Sequence, residues 1–351
     1  SALAEAIKST KSVVAANPSK LRGNLVFFPF LSAIGLGLSF VWPSLSFLAW
    51  ISLIPLFEVI YIYKRQCSVK ELAVTGFVFG FVFSVVLLFW LNHVTFVGLI
   101  VLSLYLSLYG MVFAITAANL IDRHYAEIIL RALGVVLELV KELVWCGFGW
   151  GQLGYSQYKN LLLIQIADVT GAHGVSFLIV LVNFCVWQIL RSPEKCLKSG
   201  VTLGLAFAIC LGYGAMRMSK IIPAKDYLSV TLVQPNIPQE VKWQAMSQPE
   251  IIQRLETLTV NRNIPENSLV VFPEASWPVV TGEDTQKFLE SFVRKVSREV
   301  LIGAVTKEGT DSGQGIFYNS ALLFDSQAKL KQTYNKIKLV PFGEYVPLRK
   351  Y

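Results

Sequence analysis

The sequence predicts a membrane bundle of seven α-helices followed by a water-exposed α/β domain. The first observation is composition: of the 351 residues, 54% are hydrophobic and 15% are charged, whereas soluble domains carry about 25% charged residues. The mean hydropathy is +0.54. The second observation is that long uncharged runs lie between Leu25 and Met216, while charged residues recur every few positions from Arg217 onward. We therefore expect four segments: a basic tail over 1–24, the bundle over 25–216, a linker over 217–226 and the α/β domain over 227–351.

Seven apolar segments are long enough to cross the hydrocarbon core, which takes about 20 helical residues. They are Leu25–Trp42, Ser44–Tyr63, Leu72–Leu91, Phe96–Ile121, Ile128–Trp145, Gly174–Leu190 and Gly200–Met216. A further apolar run, Leu161–Ala167, is followed by Asp168 and a Gly-Ala-His-Gly sequence that breaks helices. We interpret this run as a short interfacial or re-entrant piece.

The positive charges of the short loops predict the orientation, because Lys and Arg are enriched in cytoplasmic loops. Twelve Lys and Arg residues fall on the side of the N-terminus, against Lys159 alone in the short loops opposite. The twelve are Lys8, Lys11, Lys20, Arg22, Lys64, Arg65, Lys70, Arg123, Arg131, Arg191, Lys195 and Lys198. We expect a cytoplasmic N-terminus, no cleaved signal peptide and a C-terminal domain outside. The formal net charge of +8 reflects this topology, so it does not indicate nucleic-acid binding.

The fifth span is unusual because it carries charged residues. Glu138, Lys141 and Glu142 share one helical face near its outer end and have the spacing to pair with one another, while Arg131 is placed to reach the cytoplasmic surface. One interpretation is a polar network that orients the bundle, and the other is a polar wall beneath an outward-facing cavity. A glycine- and aromatic-rich segment over 147–157 follows, and its four glycines predict a shaped loop.

From Tyr227 the pattern changes to alternating strands and helices, which predicts a sheet with covering helices. We expect strands at Tyr227–Val233, Ser268–Phe272, Val300–Val305, Phe317–Asp325 and Lys329–Tyr334, with helices at Pro249–Val260 and Thr285–Glu299. The last two strands are expected to form a hairpin around Ser326 and Gln327.

Two residues of this domain occupy positions at which α/β domains commonly carry catalytic side chains. Glu274 follows the carboxyl end of a predicted strand, where open α/β sheets place their sites, and Lys336 follows the last strand. Taken alone, each has an ordinary alternative: a solvated carboxylate at a helix start, and one surface lysine among several. The three His and five Cys residues are scattered without a CxxC pattern, so we expect no metal and no cofactor.

Several short motifs together resemble the nitrilase superfamily and, within it, the bacterial apolipoprotein N-acyltransferases. The resemblance extends from Leu25 to Tyr351. The motifs are Phe272-Pro273-Glu274, Tyr334-Asn335-Lys336, Pro341-Phe342-Gly343-Glu344, the segments 233–239, 105–109 and 154–157, and Lys242-Trp243.

The resemblance implies an αββα sandwich and a catalytic triad of Glu, Lys and Cys. It implies that a Cys thiolate takes an acyl chain from a phospholipid, with phosphatidylethanolamine as the expected donor. The chain then passes to the N-terminal amine of a diacylglyceryl-cysteine lipoprotein. Glu274, Lys336 and Glu344 are the implied catalytic residues, and Trp243, Gln234, Asn236 and Tyr334 the implied substrate-binding residues. The implied setting is the bilayer of a bacterial inner membrane, with a periplasmic C-terminal domain and a monomeric enzyme.

The chain departs from this pattern at the nucleophile. All five cysteines precede Arg217, so none belongs to the α/β domain. We expect that the catalytic Cys and a closing eighth span lie beyond Tyr351, that only the N-terminal part of the nitrilase-like domain is present, and that this chain alone is inactive. Two other functions remain open: a pseudoenzyme that only binds lipid or lipoprotein, and a transporter. No inverted repeat supports the transporter.

Overall fold

The computed structural model describes residues 27–66, 68–123, 125–144, 147–220, 226–238, 247–260, 262–308, 315–340 and 344. The chain divides into two compact units, Ser1–Ile221 and Ile222–Tyr351, and the division falls inside the predicted linker. The first unit is helical and the second contains a single five-stranded sheet within the described residues.

The helical unit contains a helix at the position of each of the seven predicted spans. The helices are α1 (Phe27–Val41), α2 (Ile54–Gln66, preceded by a 3₁₀ segment Pro43–Trp50), α3 (Val69–Leu87), α4 (Phe96–Leu120), α5 (Ala126–Leu143), α6 (Leu161–Ile164), α7 (Ala167–Thr170), α8 (Ala172–Arg191) and α9 (Cys196–Ser219). Shorter 3₁₀ segments lie at Phe89–His93, Leu153–Gln157 and Pro193–Lys195.

The number of seven spans is not confirmed. Within the described residues, five helical segments are long and apolar enough to cross a membrane: Pro43–Lys64, Val69–Leu87, Phe96–Leu120, Ala172–Arg191 and Pro193–Ser219. Helix α1 has 15 described residues, which is short of a full crossing. Helix α5 carries charged residues along its length. The predicted interfacial piece forms the two short helices α6 and α7.

Helices α2 and α8 form the centre of the bundle, and a buried asparagine of α8 satisfies the backbone where the helical chain is interrupted just before α2. The 3₁₀ segment before α2 leaves backbone groups without helical partners. Asn183 on α8 is fully buried. Its amide nitrogen donates to Ala49 O at 2.8 Å, and its carbonyl accepts from Leu53 N at 2.8 Å. This single side chain therefore satisfies both sides of the break.

Helices α3 and α4 approach each other closely because glycines face glycines. A Cβ added to Gly76 would lie 2.2 Å from Gly110 O, and one added to Gly110 would lie 2.4 Å from Gly76 O. Small residues at helix contacts are the usual way in which membrane helices bring their backbones together. A larger residue at either position would force the two helices apart.

The α/β unit contains every predicted strand and helix, with ends shifted by at most three residues. Its elements are β1 (Ser229–Leu232), α10 (Gln248–Thr259), β2 (Ser268–Val271), α11 (Glu283–Val296), β3 (Glu299–Glu308), β4 (Ile316–Phe324) and β5 (Leu330–Asn335). The strand order is β1-β2-β3-β4-β5. The first three strands are parallel, and β3, β4 and β5 are successively antiparallel. The expected hairpin is confirmed.

One face of the sheet packs against α10 and α11. Alternate residues of β3, namely Val300, Ile302 and Ala304, are fully buried in this core together with residues of both helices. On β1 at the sheet edge, Val230 and Leu232 are exposed. The described residues therefore show a two-layer α/β arrangement, and the αββα sandwich type is not confirmed.

Candidate active site

Glu274 is held at the carboxyl edge of the parallel strands by a tight turn. Phe272 still continues the ladder, because its N–H donates to Leu301 O at 2.9 Å. The chain then turns over β3 at Gly303, where an added Cβ would lie 2.7 Å from the Glu274 Cα. Ala275 adopts a positive φ of 44°, which is costly for a residue other than glycine and is concentrated at functional sites. Gly303 thus allows the backbone of Glu274 to lie against the sheet.

Lys336 and Asn319 are brought together by the β4–β5 hairpin. The register pairs Ser320 with Asn335, and the Lys336 N–H donates to Asn319 O at 2.8 Å. A side-chain bond supports this register, because the Ser320 hydroxyl donates to Asn335 Oδ1 at 2.7 Å. Both Lys336 and Asn319 therefore have fixed backbones beside the turn that carries Glu274.

The four side chains form a compact cluster in which two donors bridge two carboxylates. Lys336 Nζ lies 3.0 Å from Glu274 Oε1 and 2.9 Å from Glu344 Oε1. Asn319 Nδ2 donates to the same two oxygens, at 2.5 Å and 2.8 Å. The second oxygen of Glu344 accepts from Val340 N at 2.7 Å. Glu274 is 64% exposed, against 30% for Lys336 and 24% for Glu344, so a molecule in solution reaches Glu274 most easily.

The charges of the cluster keep all three ionisable groups charged near neutral pH. The hydrogen bond from Lys336, followed by that from Asn319, lowers the pKa of Glu274. For Glu344 the largest single influence is desolvation, which raises its pKa. The hydrogen bonds from Val340, Lys336 and Asn319 together outweigh it and leave that pKa below its ordinary range. Bonds to Glu344 and then Glu274 raise the pKa of Lys336. The cluster therefore contains two carboxylates and one ammonium group.

Asn319 was not predicted from the sequence. It lies inside β4, belongs to none of the motifs quoted above and gives no signal of its own. The signal that would have found it is the hairpin register, since pairing Ser320 with Asn335 places residue 319 beside Lys336.

The predicted substrate-binding residues are only partly described. Gln234 and Asn236 are exposed and lie in the segment after β1, at the same sheet edge as Glu274 because β1 and β2 are parallel. Tyr334 lies on β5 opposite Ala321 and its side chain is exposed. Trp243 lies outside the described residues. Over the described ranges, no group of three or more His, Cys, Asp or Glu side chains is arranged to hold a metal ion.

In the helical unit, the charged face of α5 holds the segment after it. Glu138 Oε1 accepts from Leu153 N at 2.7 Å, and Lys141 Nζ donates to Trp150 O at 2.9 Å. Glu142 accepts from the Gln152 side chain at 2.9 Å. The three side chains have the spacing to pair with one another, and in the structure each also bonds to the loop.

Two further expectations about this region have clear outcomes. Arg131 does not reach the surface: it is buried, and its guanidinium lies 5.5 Å from the ring centre of Phe177. The glycine-rich loop adopts backbone conformations that require glycine, as expected. Gly147 and Gly151 have positive φ angles of 62° and 74°, and a Cβ on Gly154 would lie 2.4 Å from Ala172 O.

The apolar helices and the α/β unit with its polar cluster place the protein in the class of multi-pass membrane proteins that carry a hydrolase-like α/β domain. Sequence comparison identifies the family. A sequence model described as the apolipoprotein N-acyltransferase N-terminal domain matches residues 32–185, and one described as carbon-nitrogen hydrolase matches residues 229–351. The chain belongs to the apolipoprotein N-acyltransferase family, within the carbon-nitrogen hydrolase superfamily.

Similar proteins carry the same description. An apolipoprotein N-acyltransferase of Geobacter metallireducens is 32% identical over 342 residues, covering 91% of this chain and 64% of the relative. One of Nitrosomonas europaea is 28% identical over 348 residues, covering 92% and 66%. One of Haemophilus ducreyi is 27% identical over 261 residues, covering 72% and 50%. The chain thus spans between half and two thirds of the length of these relatives.

Proposed function

We propose that this protein transfers an acyl chain from a phospholipid to the N-terminal amine of a diacylglyceryl-cysteine lipoprotein through a cysteine thioester. Membership of the family supports lipoprotein N-acylation as the reaction class. The observation that carries the proposal is the cluster of Glu274, Lys336, Glu344 and Asn319 at the open edge of the sheet. An ammonium group and an exposed carboxylate that lie 3.0 Å apart supply the two functions that acyl transfer requires: a proton acceptor and a charge for the oxyanion.

Glu274 is the proposed base and then acid. It takes the proton of the thiol, the thiolate attacks the ester carbonyl, and the C–O bond breaks to give a thioester. Glu274 returns the proton to the leaving alkoxide, which departs as a lysophospholipid. In the second half, the lipoprotein amine attacks the thioester, loses a proton to the same carboxylate and releases the thiolate. The exposure of Glu274 suits a group that must meet two different substrates.

Lys336 is the proposed stabiliser of the oxyanion in both tetrahedral intermediates. Its raised pKa keeps the ammonium charged, which is the form that stabilises negative charge and the form that cannot act as a base. Glu344 and Asn319 are proposed to fix the direction of Lys336 and Glu274, since Glu344 Oε1 accepts from Lys336 and Asn319 donates to the same two carboxylate oxygens as Lys336. Trp243, Gln234, Asn236 and Tyr334 are proposed to contact substrate.

The proposed nucleophile is a thiol outside residues 1–351. Within them, all five cysteines lie in the helical unit. We therefore expect that the purified chain, incubated with fluorescent phosphatidylethanolamine, acquires no hydroxylamine-sensitive label. A chain that continues past Tyr351 and supplies the thiol should acquire the label. The pseudoenzyme alternative predicts lipid binding without label in both. Label on residues 1–351 that disappears in Cys146→Ser would contradict the proposal and identify a different nucleophile.

The proposed location is a bacterial inner membrane, with the N-terminus in the cytoplasm and the α/β unit in the periplasm, acting as a monomer on lipids of the bilayer. The charge bias of twelve to one supports this orientation. A cysteine introduced at Ser312 should react with a membrane-impermeant maleimide in intact spheroplasts. A cysteine at Ser9 should react only after the membrane is permeabilised. The reverse pattern would overturn the orientation and, with it, access to lipoprotein substrates.

A further inference from the structure

Three polar side chains form a hydrogen-bonded row across the sheet next to the candidate site. The Thr306 and Ser320 hydroxyls lie 2.7 Å apart, and the Ser320 hydroxyl donates to Asn335 Oδ1 at 2.7 Å. Thr306 belongs to β3, Ser320 to β4 and Asn335 to β5, so this polar row joins three neighbouring strands. Thr306 and Ser320 belong to none of the sequence motifs quoted above.

The polar row lies on the helix-facing side of the sheet. Successive side chains of a strand point to opposite faces. Ser320 alternates with Leu322 and Phe324, which are buried in the core under the two helices, and Ser320 itself is 3% exposed. Its neighbour Asn319 points the other way and bonds to Glu274. The polar row and the candidate site therefore occupy opposite faces of the same hairpin.

The core alone does not require polar residues at these positions, because apolar side chains of the same shape would serve it equally well. A buried hydroxyl needs a partner within the protein, and the row supplies partners in one arrangement only. Asn335 Oδ1 can only accept, so the single hydroxyl proton of Ser320 is directed to it. Thr306 must then donate to Ser320 Oγ. A row of hydrogen bonds with one direction holds its members in one geometry.

One end of the polar row supports the end of a strand. Ser320 and Asn335 are the last pair of the β4–β5 ladder, and Lys336 is the first residue beyond it. The ends of such ladders open more readily than their centres. The Lys336 Nζ must nevertheless stay 3.0 Å from Glu274 Oε1. A bond between the side chains of the last pair keeps the strand end closed where the lysine leaves it.

The other end of the polar row is attached to the segment that carries Glu274. Thr281 follows the Glu274 turn in the sequence. Its N–H donates to Val305 O at 2.8 Å, and its carbonyl accepts from Lys307 N at 2.9 Å. The two residues that flank Thr306 therefore hold this segment. The polar row connects the strand that fixes the Glu274 segment with the strand end that fixes Lys336.

We propose that Thr306 and Ser320 are positioning residues for Lys336, and that they act through Asn335 to hold the ammonium group against Glu274. Both act from the opposite face of the sheet, so they are not catalytic residues. The consequence for the rate of acyl transfer rests on the proposed function. The consequence for the contact between Lys336 and Glu274 does not, and it can be measured without the reaction.

The first test measures the pKa of Glu274 in the purified chain by NMR with isotope-labelled glutamate carboxyl groups. The signal is assigned by its loss in Glu274→Gln. The hydrogen bond from Lys336 is the largest cause that lowers this pKa, followed by that from Asn319, while the charge of Glu344 raises it. Loss of the Lys336 contact in Ser320→Ala should therefore raise the pKa of Glu274. Lys336→Ala, which removes the cation itself, should raise it most.

The Thr306 variants separate the hydroxyl from the shape of the side chain. Thr306→Val keeps the shape and removes the donor to Ser320 Oγ, so it should raise the pKa of Glu274 by less than Ser320→Ala does. Thr306→Ser restores the hydroxyl and should return the wild-type pKa. This pair decides the question if Ser320→Ala does not fold. Identical pKa values of Glu274 in Thr306→Val and Thr306→Ser would overturn the role of Thr306.

A second hydroxyl pair in the same sheet is the matched control. The Thr231 and Ser268 hydroxyls lie 2.8 Å apart on β1 and β2, and Ser268 is 2% exposed. Ser268 is the first residue of β2, whereas Glu274 follows the other end of that strand. Ser268→Ala thus removes an equally buried hydroxyl and should leave the pKa of Glu274 unchanged. Equal shifts in Ser268→Ala and Ser320→Ala would mean a general loosening of the sheet and would overturn the proposal.

The second test measures acyl-enzyme formation in a chain that supplies the thiol. A displaced Lys336 weakens an interaction made in the transition state, so Ser320→Ala should lower the maximal rate constant about fivefold. The phospholipid concentration that gives half of the maximal rate should not change. Ser268→Ala should keep the wild-type rate constant. If no chain forms an acyl-enzyme, the proposed function fails, and a raised pKa of Glu274 in Ser320→Ala still supports the positioning role. An unchanged pKa together with normal acyl transfer would overturn the positioning role alone.

Discussion

The helical and α/β units each contain a carboxylate paired with a cation, and the two pairs differ in almost every other respect. In the bundle, Glu58 on α2 is 2% exposed. Its two oxygens accept from Trp187 Nε1 at 2.9 Å and from Arg191 Nη1 at 2.5 Å, and the Arg191 guanidinium lies 3.8 Å above the Tyr61 ring. In the α/β unit, the Glu274–Lys336 pair stands at an open sheet edge and shares its donors with Glu344.

The difference shows how to tell a structural ion pair from one suited to chemistry. Both oxygens of Glu58 are engaged by donors that packing fixes in place, so no substrate can approach without unfolding the bundle. Lys336 instead divides its donors between two carboxylates of which one is largely exposed. A group that must exchange protons with a substrate needs this kind of access. We expect mutations of the first pair to change stability and mutations of the second to change reactivity.

The largest expected effect is on thioester formation in Lys336→Ala. Loss of one oxyanion stabiliser costs about 10²- to 10³-fold in rate, and the variant also leaves two carboxylates without their shared cation. The measurement is the rate of acyl-enzyme formation in a chain that supplies the thiol. Lys331→Ala is the matched control, because Lys331 lies on the same hairpin and forms an exposed ion pair with Glu299 at the start of β3. A normal rate in Lys336→Ala would remove this lysine from the mechanism.

Glu274→Gln tests the proposed transfer of the thiol proton to Glu274 at the same site. A neutral amide keeps the size and the hydrogen-bond acceptor but cannot take the thiol proton, so we expect about 10²-fold slower acyl-enzyme formation. The rate should stay low at every pH at which the protein is folded. Recovery of the rate at high pH, where the thiol ionises unaided, would restrict Glu274 to deprotonating the thiol and exclude a later role as acid.

The contrasting variant is Arg191→Met in the bundle. Removing one partner of a buried pair leaves the other charge unpaired, which costs about 3–5 kcal/mol when burial is complete. Arg191 is partly exposed, so we expect a loss of about 2 kcal/mol in the free energy of unfolding. Denaturation in mixed micelles measures it. Arg217→Met is the control, because Arg217 pairs with Asp168 at a more exposed position and should cost much less.

The elements of the α/β unit could be predicted because their pattern is local. Strand alternation and helix periodicity are read over a few residues, and the position of Glu274 follows from a strand end. The bonding of α5 could not be predicted in the same way. Spacing alone favours pairing of Glu138 with Lys141, whereas the structure shows that backbone groups of a loop up to 15 residues away also bond to both.

A smaller effect is expected for Asn319→Ala. The amide holds Glu274 and Glu344 through bonds to the same oxygens as Lys336, so its loss should misorient both carboxylates while leaving the cation in place. We expect about a tenfold fall in the rate of acyl-enzyme formation, which corresponds to about 1.4 kcal/mol. Asn319→Asp should be worse than Asn319→Ala, because it adds a third carboxylate. If the Asp variant were the more active, the bridging role of the amide would be wrong.

The smallest effect is the pH dependence of local order around β5. The pKa values of Glu274 and Glu344 are lowered. Their contribution to stability is therefore present above the unfolded value of about 4.3 for Glu and is lost as the pH falls through the lower folded values. The pKa of Lys336 is raised, so its contribution is present below about 10.4 and is lost as the pH rises through the higher folded value. Hydrogen exchange over 330–340, corrected for intrinsic rates, should thus stay constant between about pH 5 and 10 and increase below about pH 4.

In Lys336→Ala the two carboxylates repel each other, and protonation relieves the repulsion. Exchange in that variant should decrease on acidification from pH 7, opposite in sign to the wild-type chain, while Lys331→Ala should keep the wild-type trend. The same trend in all three chains would mean that the ammonium group does not hold the two carboxylates together.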